Sequence, residues 1–427
     1  MKQKLLIVLL SFSLTMSIYA QQAPATAFSY RVPVTDGWVF YGKQVPSIRV
    51  IAEKSNGTVH VVTVRLDITT DTHSPVGSLS QQVHLSQGDS TCLTFAFTPP
   101  APGFYRLSLS ECTKEGNIPV KTFNVGYEPT AIVSLPDTPP DFVSFWDQTK
   151  AELQQVAPEY KLEQLTSDTN IARKLYRVSM KSWGGVEISG YYSVPAQIKK
   201  GKKVPAIIYY MGYGSKPWIP GGNPGCAEFV LSTRGQGLQQ PTNSYGDWIT
   251  YKLDAKEAYY YRGAFMDLIR AVDFIASRPE IDASRIAAEG GSQGGAFTLI
   301  ACALDHRLRV GAPTIPFLSD YRDYFNIVSW PGNVIKKRQQ ELGLSDEQLY
   351  LTLSYFDVKN FAGMIQCPII MGVGLQDPVC PPHTNFAGFN RILAEKAYYI
   401  YPLNEHSTPP AWDEAKEAFY RKHGLFE

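Results

Sequence analysis

Hydrophobic residues follow two different rhythms in this chain, and the change between them falls near residue 130. From Phe28 to about Tyr127, apolar and polar residues alternate in short runs broken by turn-forming residues. A period of two puts every second side chain on one face of a strand. Two of these runs, Ser47 to Ala52 and Thr58 to Leu66, flank a segment containing Asn56-Gly57, and that dipeptide between alternating runs predicts a hairpin. No run of helical period interrupts the region, so residues 28–127 are predicted to form an all-β sandwich domain.

Residues 128–140 are punctuated by Pro129, Pro136, Pro139 and Pro140 and read as a linker. From Asp141 the rhythm becomes strand then helix. Asp141 to Trp146 opens an amphipathic helix, and Ala264 to Arg278 carries Phe265, Leu268, Ile269, Val272 and Ile275 on one helical stripe. Strands are predicted at 174–180, 186–194, 204–210, 226–232, 286–289, 368–374 and 397–401. Such alternation gives a mostly parallel sheet wrapped by helices. The fold class is therefore α/β over residues 141–427, behind an N-terminal all-β sandwich.

Met1 to Ala20 stands apart: Lys2 and Lys4, an apolar run from Leu5, then Ile18-Tyr19-Ala20. This is the pattern of a secretory signal peptide, so the chain is expected to be exported, to the periplasm or the medium, without a membrane anchor. The 40 basic residues balance 39 acidic ones, which leaves no global field to attract nucleic acid or an anionic membrane. A small-molecule substrate is the expected partner.

The chemistry begins at Gly290-Gly291-Ser292-Gln293-Gly294-Gly295, which follows a short apolar strand and precedes an apolar helix. A serine between glycines in that context is a nucleophile elbow, with glycines expected on both sides because side chains there would collide with strand and helix. In the α/β-hydrolase order an acid and then a histidine follow on loops after late strands. Asp377 follows the strand 368–374, and His406 follows the last strand, 397–401. The serine hydroxyl is a poor nucleophile at neutral pH, so His406 would take its proton while Asp377 holds the imidazole tautomer. Oxyanion donors are expected from the backbone N–H groups of Gln293, next to the nucleophile, and Tyr213, on the loop after the strand 204–210. Trp218, on the same loop, is a candidate sugar platform, and Arg234 is read as one half of a structural ion pair. Cys226, Cys367 and Cys380 lack metal-ligand spacing, and no metal site is expected.

Five strings together resemble the acetyl xylan esterase and cephalosporin-C deacetylase family: Thr233-Arg234-Gly235-Gln236-Gly237, Tyr260-Tyr261-Arg262, the elbow, Leu353-Ser354-Tyr355-Phe356-Asp357, and Gly374-Leu375-Gln376-Asp377-Pro378-Val379-Cys380-Pro381-Pro382. The resemblance runs from about Asp141 to the C-terminus. It implies a triad of Ser292, Asp377 and His406 and oxyanion donors at Gln293 and Tyr213, in agreement with the strand order. It also implies removal of acetyl groups from small acetylated sugars or xylo-oligosaccharides without a cofactor, and homo-oligomers. Residues 28–127 have no counterpart in the compact members. The other readings are a prolyl-oligopeptidase-like serine peptidase and a non-catalytic glycan-binding protein on a hydrolase scaffold.

Cys92 and Cys112 flank Pro99-Pro100-Ala101-Pro102-Gly103. If that segment closes a hairpin, the register sets Phe95 opposite Leu109 and Phe97 opposite Leu107, with the two cysteines opposed on the other face. A Cys92–Cys112 disulfide is the expectation in an exported protein.

Overall fold

The computed structural model describes residues 26–54, 60–165 and 172–427. The expected signal peptide, residues 1–20, and the turn expected at Asn56-Gly57 lie outside the described residues.

Eight strands fill the N-terminal region: β1 (Ser29–Arg31), β2 (Val39–Phe40), β3 (Ser47–Glu53), β4 (His60–Thr70), β5 (Pro75–Leu85), β6 (Ser90–Ala96), β7 (Gly103–Cys112) and β8 (Asn117–Tyr127). They form a three-stranded sheet, β1-β3-β6, and a five-stranded sheet, β2-β8-β7-β4-β5. The period-two pattern is realised as expected: Val50, Phe95, Leu66 and Leu107 all point into one buried core. Burying each such side chain is worth about 1.5–3 kcal/mol.

Two pairings differ from the sequence reading. β3 and β4 do not form a hairpin, because β3 pairs with β1 and β6 while β4 pairs with β5 and β7. Nor do β6 and β7 pair across the proline-rich segment, which carries the chain from one sheet to the other. Pro99, Pro100 and Pro102 have no N–H with which to close a tight turn. Phe95 and Leu107 do share a core, but from facing sheets. Cys92 lies beside Ile51 and Cys112 beside Thr63 and Asn117, so the expected disulfide is not formed and both are free thiols.

The rest of the chain builds one nine-stranded sheet: β9 (Lys161–Leu165), β10 (Arg173–Lys181), β11 (Glu187–Pro195), β12 (Val204–Tyr210), β13 (Ala227–Ser232), β14 (Ile281–Gly291), β15 (Leu308–Thr314), β16 (Ile369–Gly374) and β17 (Lys396–Tyr401). Its order is β17-β16-β15-β14-β12-β13-β11-β10-β9. The six strands β12 to β17 run parallel, and β9 to β11 add an antiparallel edge. Consecutive apolar residues serve opposite faces. Ile208 and Ala288 meet the helices Tyr260–Ala276 and Gln293–Leu304, whereas Ile207 and Ala287 belong to a second cluster with Trp412, Phe419 and Tyr420 of the helix Ala411–Lys422. This two-sided burial explains why the parallel strands read as nearly unbroken apolar runs.

The segment 128–140, read as a linker, is pinned down rather than loose. Asn390 donates to the carbonyls of Pro129 and Ile132, Arg391 to those of Ser134 and Leu135, and Ser134 Oγ to Asp320 at 2.7 Å. Among the described residues no helix is long and apolar enough to cross a membrane.

Candidate active site

Parallel strands deliver their loops to one end of the sheet, the C-terminal end, where chemistry on open α/β sheets is placed. Ser292 stands between β14 and the helix Gln293–Leu304 with φ 59° and ψ −120°. Few non-glycine residues tolerate that conformation, so the turn holds strain at the residue that carries the hydroxyl. The chain must pass very close to its neighbour to make this turn: a Cβ on Gly294 would lie 2.0 Å from the carbonyl oxygen of Tyr210 at the end of β12. Gly291 is different. A Cβ there would meet nothing within 4 Å, so collision explains only part of the glycine run.

The other two expected residues also arrive here. His406 Nδ1 lies 2.8 and 3.0 Å from the two carboxylate oxygens of Asp377. The Asp377 side chain is fully buried, and its Oδ1 also accepts from the backbone N–H groups of Val379 at 2.7 Å and Cys380 at 2.8 Å. Ser292 Oγ lies 3.9 Å from Cys380 Sγ, and no Ser292–His406 hydrogen bond occurs among the described residues. Cys380 therefore bridges serine and acid loop. Its thiol is pushed up well above the ordinary range by burial and by the Asp377 carboxylate, so it stays protonated and inert at neutral pH.

The loop after β12 is held onto the elbow by two buried amides. Gln293 Nε2 donates to the Met211 carbonyl at 3.4 Å and to Gln236 Oε1 at 3.1 Å, and Gln236 Oε1 accepts from the Gly214 N–H at 3.2 Å. This explains the Arg-Gly-Gln-Gly string: Gln236 fixes the loop carrying Tyr213, a role the sequence reading did not assign to it. Tyr213 is set further by its hydroxyl on Asp247, at 2.5 Å, and by edge contacts with Trp248 and Trp330. Trp330 stacks on Phe317 at 5.3 Å, and the Phe317 N–H donates to the Ser292 carbonyl at 3.0 Å. An aromatic wall thus adjoins the turn that carries Ser292. Neither ring was singled out in the sequence, where nothing distinguishes them from core aromatics. Trp218 lies elsewhere, exposed and edge-on to Tyr209 at 5.8 Å.

Arg234 is an ion-pair residue, as read. Its guanidinium meets the Asp267 carboxylate at 2.7 and 3.0 Å, with side-chain exposures of 4% and 0%. Removing one partner of a buried pair leaves the other charge uncompensated. Arg234→Met is therefore expected to cost about 3–5 kcal/mol of stability in chemical denaturation.

His383, six residues beyond Asp377, is engaged by two other carboxylates. Its Nδ1 lies 2.8 Å from Asp71 of the β region and its Nε2 3.5 Å from Asp323. Burial pulls its pKa down, but the two carboxylates win and push it up to about 10. An imidazolium here is already matched by carboxylates on both nitrogens.

Nine strands in this order, with helices on both faces, define an α/β hydrolase, and the chain is a carboxylic ester hydrolase. It belongs to the acetyl xylan esterase (AXE1) family, whose sequence profile matches residues 132–424. The acetyl esterase Axe7A of Xylanibacter ruminicola is 28% identical over 327 residues, covering 73% of this chain and 72% of that one. Among solved structures, the acetyl xylan esterase of Paenibacillus sp. R4 is 32% identical with a TM-score of 0.65, covering 69% of this chain and 98% of its own. Acetyl xylan esterase 1 of Thermoanaerobacterium sp. JW/SL YS485 is 27% identical with a TM-score of 0.63, covering 70% and 98%.

Proposed function

We propose that the chain removes acetyl groups from acetylated xylo-oligosaccharides or related small acetylated sugars through an acyl-enzyme on Ser292. The observation that carries this reading is the His406–Asp377 pair, at 2.8 Å, at the same end of the sheet as a strained serine. With Nδ1 engaged by the carboxylate, Nδ1 keeps its proton and Nε2 is the free base. In this mechanism the Ser292 hydroxyl turns from Cys380 to Nε2 as its partner. Oγ then attacks the acetyl carbonyl as its proton passes to His406, and the backbone N–H groups of Gln293 and Tyr213 receive the oxyanion. Collapse expels the sugar alkoxide, which takes the proton from His406. Water, activated by the same imidazole, next releases acetate and restores the serine. The twenty-residue N-terminal segment fits export of this activity to where acetylated glycans are met.

The test is acetate release from acetylated xylan set against cleavage of a proline-containing peptide: release with no peptide cleavage supports the reading, and the reverse removes it. Acyl length gives a second measure. Phe317 is almost fully buried and Trp330 is stacked on it beside the serine, so the wall has little room to yield. Two extra methylenes against such a wall cost about 1–3 kcal/mol. p-Nitrophenyl acetate is thus expected to be cleaved about tenfold or more faster than the butyrate, by kcat/KM; equal turnover of the octanoate would point to a lipase-like site.

A further inference from the structure

Gln376, immediately before Asp377, is bonded to two other segments of the chain. Its Oε1 accepts from the backbone N–H of Asn124 at 2.7 Å, and its Nε2 donates to the carbonyls of Asn124 at 3.1 Å and Pro402 at 2.8 Å. Its own N–H donates to the Asn404 carbonyl at 2.9 Å, and Asn124 Nδ2 donates to the Leu375 carbonyl at 3.2 Å. Asn124 lies in β8, whose inner edge pairs with β7 and whose outer edge meets β2 only at Gly126 and Tyr127. At Asn124 that outer edge has no strand partner among the described residues, and the primary amide of Gln376 occupies the place of a neighbouring peptide group. One side chain thereby joins the β region, the loop of Asp377 and the loop of His406.

Packing alone does not fix the acid loop at this seam. A cavity of about 200 Å³ lies beside it, lined by Asp71, Arg106, Asn124, Gln376, Asp377 and Pro378 among others. A loop with free space on one side depends on directional bonds to keep its register. Asn124 also precedes the family match, which begins at residue 132. The clamp is therefore supplied by the chain's additional N-terminal region.

We propose that this β region is part of the catalytic apparatus, and that Asn124 and Gln376 are positioning residues which hold Asp377 and His406 in register for proton transfer. The proposal rests on the Ser292–His406–Asp377 reading above. Misplacement of a reacting group by about 1 Å can cost on the order of 100-fold in rate, so a positioning role is read in kcat rather than in KM.

The experiment measures kcat and KM for p-nitrophenyl acetate with the full chain, counting competent serines by fluorophosphonate titration. Gln376→Ala is expected to lower kcat per titrated site by about 10–100-fold while KM stays within about twofold. Gln376→Glu keeps the acceptor for Asn124 but loses both donors, and Asn124→Ala loses only the bond to Leu375. Asn124→Ala is expected to fall between parent and Gln376→Ala, and Gln376→Glu, whose carboxylate would face the carbonyls of Asn124 and Pro402, at or below Gln376→Ala, again in kcat; both carry the test if Gln376→Ala does not fold. An unchanged kcat per site, with only melting temperature or the count of competent serines reduced, overturns the proposal, as does a change confined to KM. Ser292→Ala run alongside separates the two levels. If it retains hydrolysis, the triad reading itself fails; if it is inactive while the amide variants keep full kcat, only the positioning role fails.

Discussion

Ser292→Ala is expected to lower kcat for acetyl ester hydrolysis by about 10⁴–10⁶-fold while leaving the fold unchanged. The elbow conformation is held by contacts that do not use the hydroxyl. The Ser292 N–H donates to the Thr314 carbonyl, and its own carbonyl accepts from Ala296 and Phe317. Exchange of Oγ for hydrogen removes the nucleophile and one long contact to Cys380, so circular dichroism and the melting temperature should match the parent. Residual activity within tenfold of the parent would remove Ser292 from the mechanism.

Asp377→Asn is expected to cost about 10⁴-fold in kcat with little effect on folding. The carboxylate accepts from His406 and from two backbone N–H groups, so it serves only as an acceptor. An asparagine oxygen can still take the backbone donors, and that leaves the amide NH₂ facing the imidazole. Nδ1 must then become the acceptor, which places the ring proton on Nε2, where the serine proton has to go. The pH–rate profile of the variant should show activity recovering only at high pH, where hydroxide replaces the lost base. A loss of less than tenfold would mean that Asp377 does not set the tautomer.

The parts of this site that could be read from the sequence are those encoded locally. An elbow needs small residues packed between a strand and a helix, and the chain spells that out around Ser292. Asp377 and His406 follow buried apolar runs, and counting strands assigns them. β15, Leu308–Thr314, is not legible as a strand because Arg309, Gly311 and Pro313 break the apolar run. β9 was missed because it is an exposed edge strand with almost no apolar face. In the N-terminal region the inward positions were legible, since alternation is local. The pairing partners were not, because a two-residue period says nothing about which sheet receives a strand. Gln236 and Gln376 fall in the same class: a single amide has no pattern of its own, and its meaning appears only when distant backbone groups are brought to it.

The clamp at Asn124 also sets an order of events during synthesis. Asn124 and Gln376 are separated by 252 residues, and Asp71 and His383 by 312. The β region leaves the ribosome first, and until the last third of the chain follows, the outer edge of β8 at Asn124 has no partner. An open strand edge is a template for pairing with another chain, and domains made early wait longest in that state. In the finished protein the amide of Gln376 covers this edge, so the edge stays open until the segment that carries Asp377 has been made.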